Sequence, residues 1–206
     1  MAIPVIRSSQ MSVAEYLGRE RESLEKHEYR DGEVLLMAGG SANHSLIIMN
    51  VGGELRNMLK GKACRVYGSD LRIRIPRTVL YAYPDVSIVC GPCQIDPNDS
   101  TGETITNPRV IIEVLSPNTE AYDRGEKFYR YRQLDSLEEY VLISQQSPMV
   151  ETFLRQADGS WSLRSSATLE AVARVRCLDI DLALSEIYAR VEFPSATPAV
   201  ASDDAR

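Results

Sequence analysis

Glu113 stands inside an apolar run, Val110-Ile111-Ile112-Glu113-Val114-Leu115, where strand burial alone gives no reason for a charge. A Ser116-Pro117-Asn118 turn follows, and then Asp123, Lys127 and Tyr131, each four residues apart. Upstream, Pro84-Asp85 opens a second short apolar run, Val86-Ser87-Ile88-Val89. Side chains two apart share a strand face, so Asp85, Ser87 and Val89 line one side of their run and Ile111, Glu113 and Leu115 one side of theirs. If the two strands are neighbours, Asp85 and Glu113 stand side by side. Two carboxylates held close in a semi-buried place cannot both stay ionised without help: one takes a proton, or a cation binds between them. Hard divalent ions, Mg²⁺ above all, are held by one or two carboxylates while keeping several waters. An ion held there would polarise a phosphodiester and lower the pKa of a bound water.

Lys127 falls on the first turns of a helix that the Ser116-Pro117 turn leads into. An ammonium there could hold or deprotonate an attacking water, or neutralise charge developing on phosphate. Asp123 could position it across one turn if the helix starts early enough, or the two could be a surface pair. Tyr131 reads equally as an aromatic packed against Phe128 and Leu134. Asp85 alone could cap a strand end, and Glu113 alone could face solvent at a sheet edge.

The elements that must position these residues follow from periodicity. Val13, Tyr16 and Leu17 repeat at helical spacing behind Ser12, a good N-cap. Asp31-Gly32 marks a hairpin. Leu46, Ile47, Val51, Leu55, Met58 and Leu59 give a helix of 3.6-residue period through Gly52-Gly53, glycines that either allow close approach or are merely tolerated. The segment Cys64–Pro76 breaks at Gly68 and then alternates, with Leu71, Ile73 and Ile75 on one face and Asp70, Arg72 and Arg74 on the other. Two short apolar runs bounded by proline and turn residues are buried strands, a helix runs from Gly125, and 137–145 is another buried strand. A hairpin turns at Asp158-Gly159, and a short helix lies within Leu182–Val191. The middle of the chain therefore reads helix, three strands, helix, strand: an α/β layout with helices packed on a central mixed sheet.

The 206 residues, 44% hydrophobic and 25% charged, suit one globular domain over 1–193, with a polar, proline-bearing tail over 194–206 expected to be disordered. No apolar run is long enough to span a membrane, and the N-terminus has no signal-peptide pattern, so a cytoplasmic location is expected. Cys90-Gly-Pro-Cys93 has redox or half-zinc-site spacing, but it ends a strand rather than opening a helix, and Cys64 and Cys177 stand alone; incidental thiols are the expectation. A net charge of −6 argues against a protein that coats nucleic acid. Within that balance Arg56, Lys60, Lys62, Arg65, Arg72, Arg74 and Arg77 form one basic segment and Arg124, Lys127, Arg130 and Arg132 another, read either as solvated faces or as phosphate-contacting patches.

The order Pro-Asp, then Glu in an apolar strand, then Lys on the next helix resembles the PD-(D/E)XK nuclease superfamily. More closely, from about Ser12 to Val191, the chain resembles the Uma-type family of restriction endonucleases. The resemblance rests on "YRDGEV", "NHSLI", "SDLRIRI", "YPDVSIVCG", "IIEVLSPNTEAYDRGEKFYRY" and "EEYVLIS". It implies a restriction-endonuclease-like α-β-β-β-α-β core, Asp85 and Glu113 as ligands of Mg²⁺ (or Mn²⁺ in its place), and Lys127 as the catalytic lysine. The parent pattern puts its lysine two residues after the glutamate, where this chain has Leu115; Lys127 on the helix fits the family's relocated lysine. Secondary candidates are His44, on a helix that the resemblance places beside the site, Glu28 and Glu33 flanking the hairpin turn, Asp70, Asp123 and Tyr131.

What the resemblance implies is a Mg²⁺-dependent endonuclease acting on DNA, soluble, and favouring a homodimer if both strands are cut. The alternative is a catalytically silent nuclease-fold module for binding or assembly. A third option, a two-carboxylate glycoside hydrolase, lacks aromatic platforms: the only tryptophan is Trp161, in a peripheral hairpin.

Overall fold

The computed structural model describes residues 5–6, 10–37 and 39–193. The tail expected over 194–206 lies outside the described residues.

After a short strand β1 (Val5–Ile6), helix α1 (Val13–Glu22) begins with Ser12 as N-cap. The Ser12 and Glu15 side chains bond each other's backbone N–H in a capping box, a device worth about 1 kcal/mol. Strands β2 (His27–Arg30) and β3 (Glu33–Leu36) form the expected hairpin. Asp31 and Gly32 both take positive φ (48° and 96°), as a two-residue turn matching strand twist requires. Helix α2 (Ala42–Met58) is capped by Ser41 and buries Ile47, Val51 and Leu55. A Cβ on Gly52 or Gly53 would meet nothing within 4 Å, so these glycines are tolerated rather than needed for close packing.

Strands β4 (Cys64–Gly68), β5 (Arg72–Ile75), β6 (Leu80–Ala82), β7 (Val86–Cys90), β8 (Thr104–Ile105) and β9 (Val110–Leu115) follow. Helix α3 is composite: an α-turn Glu120–Tyr122, a π-helical turn Asp123–Lys127 and a second α-turn Phe128–Tyr131. Then come β10 (Glu139–Ser144), the hairpin β11 (Met149–Arg155) and β12 (Trp161–Ala167), the hairpin β13 (Val172–Val175) and β14 (Ile180–Ala183), and a short α4 (Leu184–Ile187). The β13–β14 pair was not foreseen from the sequence.

Among the described residues the strands form two six-stranded sheets and a two-stranded one. One sheet has the order β12-β11-β10-β9-β7-β4, the other β1-β3-β2-β6-β5-β8. In the first, α2-β4-β7-β9-α3-β10 is the expected α-β-β-β-α-β core. β9 and β10 are parallel, which demands a crossover, and α3 supplies it. The segment Cys64–Pro76 divides at its Gly68 break more deeply than its alternation predicts: β4 joins one sheet and β5 the other.

Both faces of β9 are covered. Val110, Ile112 and Val114 pack with Ile47, Val51 and Leu55 of α2. On the opposite side Ile111 and Leu115 pack with Ile73, Ile75 and Leu80 of the second sheet and with Phe128 and Tyr131 of α3. Each such aliphatic side chain stabilises the fold by about 1.5–3 kcal/mol. Glu113 shares the second face, so the only carboxylate of β9 points into this packed layer.

Candidate active site

The ladder sets Val86 against Ile112 and Ser87 against Ile111 in antiparallel pairing. One residue further along, Asp85 and Glu113 are neighbours, as the shared-face argument required. The backbone N–H of Asp85 lies 3.3 Å from Glu113 Oε2, and that of Val114 donates to Asp85 Oδ2 at 2.7 Å. The two carboxylates are therefore latched to each other's strands. On the far side of Asp85, His44 Nε2 stands 3.4 Å from Oδ2, carried there by the first turn of α2. A Cβ on Gly40 would sit 2.5 Å from His44 Nδ1, so the ring occupies space that only glycine leaves open.

The π-helical turn brings Asp123 and Lys127 inward together. Lys127, 5% exposed, sets its ammonium 2.9 Å from Glu113 Oε1, 2.9 Å from Glu28 Oε1 and 3.6 Å from Asp123 Oδ1. A wide i→i+5 turn is rare and recurs at functional sites; here it gathers two charges from one helix onto the end of a sheet. Tyr131, one turn on, does both things the sequence left open: its ring packs edge-on to Tyr140, and its hydroxyl donates to Glu113 Oε1 at 2.9 Å. Tyr140 donates to the Asp123 carbonyl at 3.1 Å, fixing the turn from beneath.

Four carboxylates, Glu28, Asp85, Glu113 and Asp123, thus surround one lysine and one histidine. Burial, reinforced by Asp85 and Asp123 and opposed by Lys127, pushes the Glu113 pKa up to about 8. Burial also raises Asp123 against the pull of Lys127. Burial disfavours charge on Lys127, but Glu113 and Glu28 more than offset this and its pKa rises. Burial opposes charge on His44, but its bond to Asp85 and the negative charges of Asp85 and Asp123 together outweigh it and hold its pKa above the ordinary value. The cluster is short of positive charge. Glu28 Oε1, although within ion-pair reach of Lys127, is buried without a partner in hydrogen-bond geometry.

Of the secondary candidates, Glu28, His44, Asp123 and Tyr131 join this cluster. Glu33 and Asp70 do not, and both expectations are corrected. Glu33 faces solvent beyond the hairpin turn and pairs with Arg30 at 2.9 Å. Asp70 is almost fully exposed in the turn after β4, where it pairs with Lys26. Period-two alternation placed Asp70 with Arg72 and Arg74, but Asp70 precedes β5 and does not share its pleat.

The basic segments also need correcting. Arg72 is 1% exposed and bonds Thr104, Tyr83 and Asp99. Arg74 pairs with Asp96, Arg77 with Asp135, Arg124 with Glu120 and Glu151, and Arg130 with Asp31 and Glu126. The cysteines are not all free thiols: Cys64 and Cys90, facing each other across β4 and β7, form a disulfide, while Cys93 contacts the Tyr67 hydroxyl. Trp161 packs edge-on against Phe128 beneath Arg155, so it is no sugar platform.

Sequence reasoning missed Tyr122 and Tyr140. The ring of Tyr122 lies 5.9 Å from the Lys127 ammonium and 5.8 Å from the Arg30 guanidinium. Tyr122 immediately precedes Asp123, and its place in the sequence carries no signal that a π-turn will aim it inward.

Comparison with known proteins shows the fold and the family. A crystal structure described as a putative nuclease belonging to DUF820, from Anabaena variabilis ATCC 29413, superposes with a TM-score of 0.66 over 84% of this chain and 96% of its own, at 16% identity, which establishes a shared fold. Two "Uncharacterized" proteins of Synechocystis sp. (strain ATCC 27184 / PCC 6803 / Kazusa) are closer in sequence. The protein slr1290 is 38% identical over 184 residues, 89% of this chain and 94% of its own, and sll1609 is 35% identical over 153 residues, 74% and 85% respectively. The model of the Uma2 family, described as "Putative restriction endonuclease", matches residues 13–185, and the chain therefore belongs to the Uma2 family.

Proposed function

We propose that the protein is an endonuclease that hydrolyses phosphodiester bonds in DNA with the help of Mg²⁺. The observation that carries this reading is the convergence of Asp85 and Glu113 on adjacent strands with the Lys127 ammonium 2.9 Å from Glu113.

The donor set fits a hard divalent cation. Among the described residues no group of three or more acidic, histidine or cysteine side chains is spaced to enclose a metal ion, but Mg²⁺ needs only one or two carboxylates and keeps several waters. Asp85 and Glu113 are the residues that would hold it, and the excess of buried carboxylate, with Glu28 Oε1 lacking a hydrogen bond, is the imbalance a cation would relieve. Bound there, Mg²⁺ would supply Lewis-acid polarisation of a phosphoryl oxygen and acidify a coordinated water.

The chain's own residues divide the remaining work. Val114 N–H and the Asp85 N–H hold the two carboxylates in place. Tyr131 fixes the Glu113 rotamer by donating to Oε1. Lys127, kept charged by its acidic neighbours, places a cation where negative charge develops during in-line attack. His44 orients Asp85 from the opposite side and presents an imidazole near the mouth of the site.

The test is cleavage of supercoiled plasmid by the purified full chain with Mg²⁺, Mn²⁺ or EDTA, alongside Asp85→Asn. Divalent-dependent nicking by the wild type, lost by at least a hundredfold on the order expected for an electrostatic catalytic group in the variant, supports the reading. Equal activity of wild type and variant, or no cleavage and no divalent binding by calorimetry, refutes it.

A further inference from the structure

Two basic segments stand out in the sequence, and the fold disposes of most of their charge internally: Arg72, Arg74, Arg77, Arg124 and Arg130 are each committed to a carboxylate of this chain. Lys127 belongs to the candidate site, and Arg132 lies over the Phe128 and Tyr129 rings, which leaves four residues. Among the described residues Arg56, Lys60, Lys62 and Arg65 pair with no acid, all four are exposed, and all four line one concavity of about 410 Å³ that contains no carboxylate. In a chain of net charge −6, four unpaired cations around one hollow make a local positive field.

The hollow is built rather than fortuitous. Gly61, at φ +80°, turns the chain sharply between α2 and β4 and sets Lys60 and Lys62 on either side of the bend. Arg65 NH1 lies 3.4 Å from the Gly91 carbonyl, across the ladder in which Cys64 is joined to Cys90. Cations in the last turn of a helix also complement its dipole. That accounts for Arg56 alone, because Lys60, Lys62 and Arg65 lie beyond the end of α2 at Met58.

Its position relates it to the candidate site. His44 stands in the first turn of α2 and Arg56 in the last, about 18 Å apart along the axis at about 1.5 Å per residue. The strand register agrees: Gly68 pairs with Val86 next to Asp85, whereas Cys64 pairs with Cys90 at the other end of β4. About 18 Å is about half a turn of B-form duplex, a span that carries about ten phosphate charges.

We infer that this concavity is a second contact for the phosphate backbone of the same duplex, gripping it about half a helical turn from the reacting bond. The inference rests on the proposed nuclease reading and adds to it the surface that holds the substrate. Such contacts give register and affinity without base specificity.

The experiment measures binding of fluorescein-labelled DNA to the full chain by anisotropy in EDTA, from about 50 to 200 mM salt. It compares wild type, Lys60→Gln/Lys62→Gln and Arg56→Gln/Arg65→Gln on a duplex of about 20 base pairs and on a hairpin-capped duplex of about 3, roughly 10 Å long and too short to span the distance. On the long duplex each double variant should bind on the order of tenfold more weakly, with a salt slope shallower by about 2. On the short duplex binding and Mg²⁺-dependent cleavage should match wild type. Unchanged affinity and slope on the long duplex, or equal losses on both lengths, overturn the second contact while leaving the nuclease reading intact. Competition by polyglutamate as effective as by the long duplex assigns the face to an acidic protein partner and overturns it too. A wild type that neither binds nor cleaves DNA overturns the underlying reading itself.

Discussion

Replacing Glu113 by glutamine should stabilise the protein in the absence of metal, and by an amount that grows with pH. Glu113 has an ordinary value of 4.5 and sits at about 8 in the fold, chiefly through burial. Below the unfolded value the group is protonated in both states and costs nothing. As pH rises from about 4.5 towards 8 the unfolded chain ionises while the folded chain keeps its proton, so folding loses stability throughout that window and the loss levels off above it. At about 1.4 kcal/mol per pKa unit the full penalty is about 5 kcal/mol, of which about 4 is reached at pH 7.5. Glutamine keeps an oxygen to accept from Tyr131 and Lys127 but carries no ionisable group, so it escapes the penalty. Urea unfolding of both proteins in EDTA between pH 4.5 and 8 reads the difference directly, because the other titrating groups are common to both. Midpoints should converge near pH 4.5 and separate by several kcal/mol near pH 7.5. Added Mg²⁺ should then raise the wild type towards the variant at the upper end and leave the variant alone. Parallel stability curves, with a gap independent of pH, would refute the claim that Glu113 is held neutral by desolvation.

Two further perturbations examine the supports of the site. Lys127→Met removes the ammonium shared by Glu28, Glu113 and Asp123 and should cost about 3–5 kcal/mol at pH 7.5, a deficit that shrinks as pH falls and the orphaned carboxylates take protons; pH-resolved urea midpoints check both parts. Gly40→Ala drives a methyl into His44 Nδ1 and should push the ring off Asp85, so the NMR titration midpoint of His44 drops towards its ordinary 6.5 at a stability cost of about 1 kcal/mol; an unmoved midpoint would mean that the loop yields instead.

Some of this arrangement is legible in one dimension because it depends on local periodicity. A single carboxylate inside an apolar run, and a proline that bounds a strand, need no knowledge of distant residues. The pairing of Asp85 with Glu113 was deduced on one condition, that their strands are neighbours, and the β7–β9 register meets it. The role of Asp123 depended on where α3 begins, and it begins at Glu120. Asp70 and Glu33 failed for different reasons: Asp70 belongs to a turn, and turn residues do not follow the alternation of the strand beside them, whereas Glu33 is the first residue of β3, at the exposed end of the hairpin, where Arg30 takes its charge. The arginines failed for another. A basic run reads the same whether its charges meet phosphate or a carboxylate far along the chain, and Arg72 with Asp99 is the clearest case.

By itself, then, the amino-acid order determined the central strands, the first helix with its Ser12 cap, the Asp31-Gly32 hairpin and the two carboxylates that a core strand has no use for, since these follow from side-chain spacing and backbone preference. Only the tertiary structure decided that β4 and β5 part into different sheets, that α3 opens into a π-turn carrying Lys127 between Glu28 and Glu113, and which cations remain unpaired around Gly61. Those outcomes depend on Coulombic and packing partners many residues away, and no local pattern records which partner a charge will find.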